Sequence, residues 1–118
     1  MTQPDPAAAP FGVTAINLFS MLPGVDPAEF ERFSNEVDRP TCLAFGDVVT
    51  GFDAYRVVGQ PDGAPADIVE VMRVSDWPTW EQLRDNDPAF EPVMEAFNKL
   101  VDPNSVRTYF TRPIIGDN

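Results

Sequence analysis

Two rhythms of apolar and polar residues run along this chain, and each change of rhythm marks an element. "VTAINLFSML", Val13 to Leu22, is apolar at nearly every position, which predicts a strand covered on both faces. "PGVDPAEF" then turns to helical spacing, and Phe30, Phe33 and Val37 fall on one face. Asp26 suits the N-cap, Pro27 the first helical position, and Glu29 completes a capping box. A helix is expected from about Pro27 to Val37, and Pro40 should stop it by barring helical geometry at Arg39. "DVVTGFDAYRVVG" is β-branched and aromatic, with Gly51 marking a bulge. "QPDGAPAD" reads as a turn, and "DIVEVMRVS" as the second strand of a hairpin.

Helical rhythm returns in "DWPTWEQLRDN", with Pro78 in its first turn, and in "DPAFEPVMEAFNKLV", where Phe90, Val93, Met94, Phe97 and Val101 form a stripe. Pro92 removes a backbone donor, so that second helix should become regular only beyond it. "SVRTYFTRPII" reads as a closing strand. The order β-α-β-β-α-α-β is a split βαβ arrangement: an α+β, ferredoxin-like fold with a four-stranded antiparallel sheet and one additional helix. Helices on one face leave the other face bare, yet the strands are apolar on both. A second copy of the sheet is the economical cover, so a homodimer with two sheets face to face is expected.

Composition narrows the chemistry. The chain has 118 residues and a net charge of -11, with Lys99 its single lysine; neither nucleic acid nor an anionic membrane is an expected partner. No stretch is long and apolar enough for a membrane span. Residues 1–10, "MTQPDPAAAP", lack the basic and apolar regions of a signal peptide and read as a disordered arm before a single domain at 11–118. There is no histidine, which removes His-based acid–base catalysis and most zinc or haem sites. No metal and no cofactor are expected. Cys42 is the one cysteine; it points to the cytoplasm and, with no partner to activate it, reads as an inert buried thiol.

What remains is polar side chains set in apolar strands, each costing roughly 1–3 kcal/mol if buried unpaired. Asn17 lies between Ile16 and Leu18, either satisfying backbone or hydrogen-bonding a ligand. Glu70, in "IVEVM", either pairs with Arg56, Arg73 or Arg107 or stays protonated as a general acid or base. Tyr55 and Tyr109 either pack with the hydroxyl at a rim or donate to a ligand carbonyl. Trp77 and Trp80, spaced i, i+3, suit the core or the wall of a pocket for a flat aromatic ligand. In "NEVDRPTCLAF" the expected helix end places Asp38 against the dipole, a mild penalty that keeps it as a candidate carboxylate, with Arg39 beside it to hold it or a ligand.

"INLFSMLPGVDPAEFERF", "NEVDRPTCLAF", "VVTGFDAYRVVG" and "EVMRVSDWPTWEQLRDNDPAFEPVMEAF" together resemble the RedY-like (HapK) family, over about Thr14 to Pro113. The family lies in the dimeric α/β-barrel superfamily, with cofactor-free monooxygenases and polyketide cyclases. The resemblance implies a homodimer, a pocket between sheet and helices, no tightly bound cofactor, and an association with prodiginine and bisindole biosynthesis. Ala15 stands where cyclase-like relatives often carry a histidine. The expectation is a cofactor-independent tailoring enzyme that assists condensation, cyclisation or dehydration of a small aromatic intermediate. Glu70 or Asp38 would move the proton, Asn17 and Tyr55 would orient the substrate, and Trp77 and Trp80 would wall the pocket. The alternatives are a non-catalytic carrier and a cofactor-free monooxygenase.

Overall fold

The computed structural model describes residues 12–63 and 65–114; the expected arm at 1–10 lies outside them. Four strands, β1 (Val13–Phe19), β2 (Val49–Arg56), β3 (Ile68–Val74) and β4 (Arg107–Thr111), form one antiparallel sheet in the order β2-β3-β1-β4. The fold is α+β and ferredoxin-like. Helices α1 (Pro27–Phe33), α2 (Arg39–Ala44), α3 (Trp77–Asn86) and α4 (Glu91–Leu100) occur in chain order between the strands. No helix of the described residues is long and apolar enough to cross a membrane.

Alternation assigns the faces. Ala15, Phe19, Ile68, Met72 and Val74 point towards the helices and are buried with Phe30, Phe33, Phe90 and Val93. Edge-to-face aromatic pairs fill this layer, among them Phe19 with Phe97 at 5.4 Å and Trp80 with Phe90 at 5.2 Å. Ile16, Leu18, Val69 and Val71 point the other way and are only partly covered, while Tyr55 and Tyr109 stand 56% and 55% exposed.

Two local departures position the site. The first is the bulge at Gly51, where β2 slips by one residue between Val49 and Gly51 against β3. The guanidinium of Arg73 lies over Gly51, in space a Cβ would occupy. The second corrects the expected helix stop. Pro40 does not end the helix: α1 passes through a widened turn, Ser34–Asp38, and continues as α2. A proline ring clashes with the carbonyl four residues back in a regular helix. The widened turn avoids that conflict by letting the Arg39 N–H bond to the Ser34 carbonyl, five residues back. Asp38 is therefore no helix C-terminus; it precedes α2 and is turned inward.

Pro92 likewise costs less than expected. It sits in the first turn of α4, after a short 3-10 turn at Pro88–Phe90, where its missing N–H would have had no helical partner.

Candidate active site

A cavity of about 530 Å³ opens between the inner face of the sheet and the helices. Its walls are aromatic: Trp77, Trp80, Phe90, Phe97 and Phe110, with Met72. Trp77 packs edge-on against Phe110 at 4.6 Å. The i, i+3 spacing on α3 puts both indoles on the inward side, where each is less than a tenth exposed.

The floor is polar. Glu70, Asn17 and Thr108 lie in one row across β3, β1 and β4, each facing the next in register. Thr108 Oγ1 donates to Asn17 Oδ1 at 2.7 Å. That bond decides which way the amide points: its Nδ2 is turned towards β3, 3.8 Å from Met72 Sδ. Glu70 is 5% exposed, and its Oε2 has no hydrogen-bond partner among the described residues.

Asp38 enters the same cavity from the widened helical turn. It is 6% exposed and accepts an S–H bond from Cys42, one turn further on, at 3.5 Å. Burial raises the Asp38 carboxyl from its ordinary value to about 6, while the Cys42 hydrogen bond works in the opposite direction. Burial also pushes Glu70 well above the usual carboxylate range; the Asp38 charge adds to the rise and the Asn17 amide opposes it. The Cys42 thiol is driven upward by burial and then by the Asp38 charge, so it remains protonated and is a donor, not a nucleophile. Both carboxyls are thus held above the ordinary carboxylate range, and a proton retained in the cavity belongs to the pair.

The arginines proposed as partners of Glu70 are elsewhere. Arg56 meets Glu31 at 3.4 Å on the surface, Arg107 donates to the Pro65 carbonyl at 3.2 Å, and Arg73 lies on the outer face. Of the residues singled out from the sequence, the cavity brings together Glu70, Asp38, Asn17, Trp77 and Trp80. Two are corrected. Tyr55 pairs with Val69 on the outer face of the sheet, away from the cavity, because the Gly51 bulge inverts the alternation of β2 beyond it. Arg39 does not line the cavity; its Nε donates to the Phe52 carbonyl at 3.1 Å and ties α2 to β2. Strict alternation from the apolar Phe110 places Thr108, not its neighbour Tyr109, on the inward side, and Thr108 lines the cavity. At the solvent side α3 adds Glu81, Arg84 and Asp85.

A sequence profile described as REDY-like protein HapK matches residues 13–114. The chain belongs to this family. Among solved structures, HapK from Hahella chejuensis superposes with a TM-score of 0.71 at 23% identity, over 90% of this chain and 95% of that one. A dimeric ferredoxin-like protein of unknown function from Thermobifida fusca gives 0.66 at 13% identity, over 87% and 92% of the two chains. A dabb family protein with a ferredoxin-like fold from Mesorhizobium loti gives 0.62 at 16%, over 88% and 98%. These likenesses establish the fold. No curated protein matches the chain.

Proposed function

We propose that this REDY-like chain is a cofactor-independent tailoring enzyme of secondary metabolism. It assists condensation, cyclisation or dehydration of an aromatic, pyrrole- or indole-like intermediate of a prodiginine- or bisindole-type pathway. The observation that carries the reading is the pair of buried carboxyls, Asp38 and Glu70, with no cation beside Glu70, in an aromatic-walled cavity. Two buried carboxyls held above the ordinary carboxylate range, Asp38 at about 6, can serve as general acid and general base in one site. Trp77 and Trp80 stack the flat substrate, Asn17 offers amide N–H groups to a carbonyl or imine, and Glu70 moves the proton. Reactive substrates of this kind need little more than orientation and one proton transfer.

The enzyme works in the cytoplasm as a homodimer. Support for the dimer comes from the half-covered Ile16, Leu18, Val69 and Val71 face and from solved relatives described as dimeric.

Co-expression with a bisindole- or prodiginine-forming pathway, followed by product profiling, tests the function. The expected result is a product that depends on this chain and falls roughly 100-fold or more in Glu70→Gln and Asp38→Asn. An unchanged profile in both variants would show that the carboxyls move no proton and leave a carrier role.

A further inference from the structure

The charges around the cavity are unbalanced. Among its lining residues are four carboxyls, Asp38, Glu70, Glu81 and Asp85, against one guanidinium, Arg84. Arg84 is already engaged, its Nε 3.0 Å from Asp85 Oδ1. No charge reaches Glu70 from the strands beside it: Ala54 faces it from β2 and Asn17 from β1, with Thr108 beyond on β4. The cavity residues contributed by α4 are apolar: Val93, Met94 and Phe97. From the helical side come the Asp38 carboxyl and the Cys42 thiol. An acidic cluster alone means a solvated surface. Here, however, one member is 5% exposed, lines the cavity, and has an oxygen without a partner among the described residues. Leaving such an atom unmatched in the bound state costs more than its hydrogen bond would contribute. The occupant must bring it a hydrogen-bonding partner, and a basic nitrogen suits either form of the carboxyl, donating N–H to the carboxylate or accepting from the acid.

We propose that the cavity selects a ligand with a basic nitrogen on an apolar, flat body, and discriminates against the corresponding carboxylate. This rests on the reading of the cavity as the substrate site and names the chemical class of what enters it. A nitrogen that arrives protonated donates N–H to Glu70 Oε2. If the nitrogen arrives neutral, the Glu70 O–H bond breaks, an N–H bond forms, and an ammonium–carboxylate pair remains; no other reactant is needed. The Asp38 carboxyl faces the same space, and its anionic form favours the cation. A carboxylate ligand would instead place a second like charge beside Asp38 in a buried space, which is strongly disfavoured.

Trp77 and Trp80 are the only tryptophans in the chain, and both line the cavity, so intrinsic fluorescence reports its occupancy. Phenylpropylamine, phenylpropanol and phenylpropionate share ring and length and differ in charge; their phenyl ring does not absorb at the red edge of tryptophan excitation. Titrated into the full chain at pH 7, the amine should bind about tenfold or more tighter than the carboxylate, with the alcohol between them. Glu70→Gln should remove most of that preference and Asp38→Asn part of it, with far-ultraviolet circular dichroism confirming that each variant is folded. Equal or tighter binding of the carboxylate overturns the charge selectivity and leaves the proposed enzyme standing. Failure of all three to bind overturns both.

Discussion

The two faces of the sheet carry opposite anomalies. The inner face, which should be apolar, holds Glu70, Asn17 and Thr108 in one row, with Asp38 above them. The outer face, which should be polar if it met water, presents Ile16, Leu18, Val69, Val71 and two half-exposed tyrosines. Both sets sit on the same strands, one residue apart, so neither is explained by a poor local sequence. Glu70 has no structural reason to be in the inner row: among the described residues it makes no ion pair, and its burial disfavours the charged form. The outer apolar patch has no solvent reason. The first is the row on which the proposed chemistry rests and the second the face on which the proposed dimer rests, and the period of a strand keeps them apart.

Breaking the outer face should have the largest effect. Val71→Asp, central in the sheet, is expected to turn an assembly of about twice the 13.1 kDa chain mass into a monomer, as read by light scattering. A wild-type mass of one chain at micromolar concentration would contradict the assignment of this face.

Breaking the inner face should do the reverse and stabilise. Both carboxyls have folded values above their unfolded ones, so the native state binds more protons than the unfolded state; for Asp38 this holds as pH rises from near 4 through about 6, and Glu70 acts in the same direction. Stability is thus fullest below the unfolded values and declines across that window, the opposite of a salt-bridged carboxylate. Asp38 accounts for roughly 3 kcal/mol of this decline. Asp38→Asn should flatten the fall in Tm between pH 4 and pH 8 and leave the variant more stable than wild type at the alkaline end. A Tm that instead rose with pH over this range would mean that the carboxyls are paired.

Thr108→Val should cost least, roughly 1 kcal/mol of stability in denaturant unfolding. Its informative effect lies elsewhere. Without the Thr108 hydroxyl the Asn17 amide is free to turn over, and affinity for a carbonyl-bearing ligand should fall several-fold while Thr108→Ser restores it. Equal affinities in all three proteins would make the Thr108–Asn17 bond purely structural.

Much of this was legible in the residues. Periodicity of two and of 3.6 marked the strands and helices, and polar letters inside apolar runs pointed to Asn17 and Glu70. Tyr55 was misread for a definite reason. Val49 and Tyr55 are six residues apart and would share a face in a regular strand. The Gly51 bulge was expected, but its register was not, and one inserted residue inverts every side chain beyond it. Asp38 reached the candidate set for the wrong reason. The general rule reads Asp-Arg-Pro as a helix stop, whereas packing under the sheet supports a continuous helix with a widened turn, and that turn is what buries the carboxylate. Arg39, its neighbour, is carried to the opposite side and bonds to β2.

In the proposed site Asp38 and Glu70 act as one proton-sharing pair. Carboxyl carbon-13 NMR titration of the wild-type chain and of Asp38→Asn tests it most directly. The expected result is a wild-type Asp38 midpoint of about 6, a Glu70 midpoint raised above the ordinary carboxylate range, and a downward movement of the Glu70 midpoint once the Asp38 charge is removed. Two midpoints in the ordinary carboxylate range, or a Glu70 midpoint indifferent to Asp38→Asn, would contradict it.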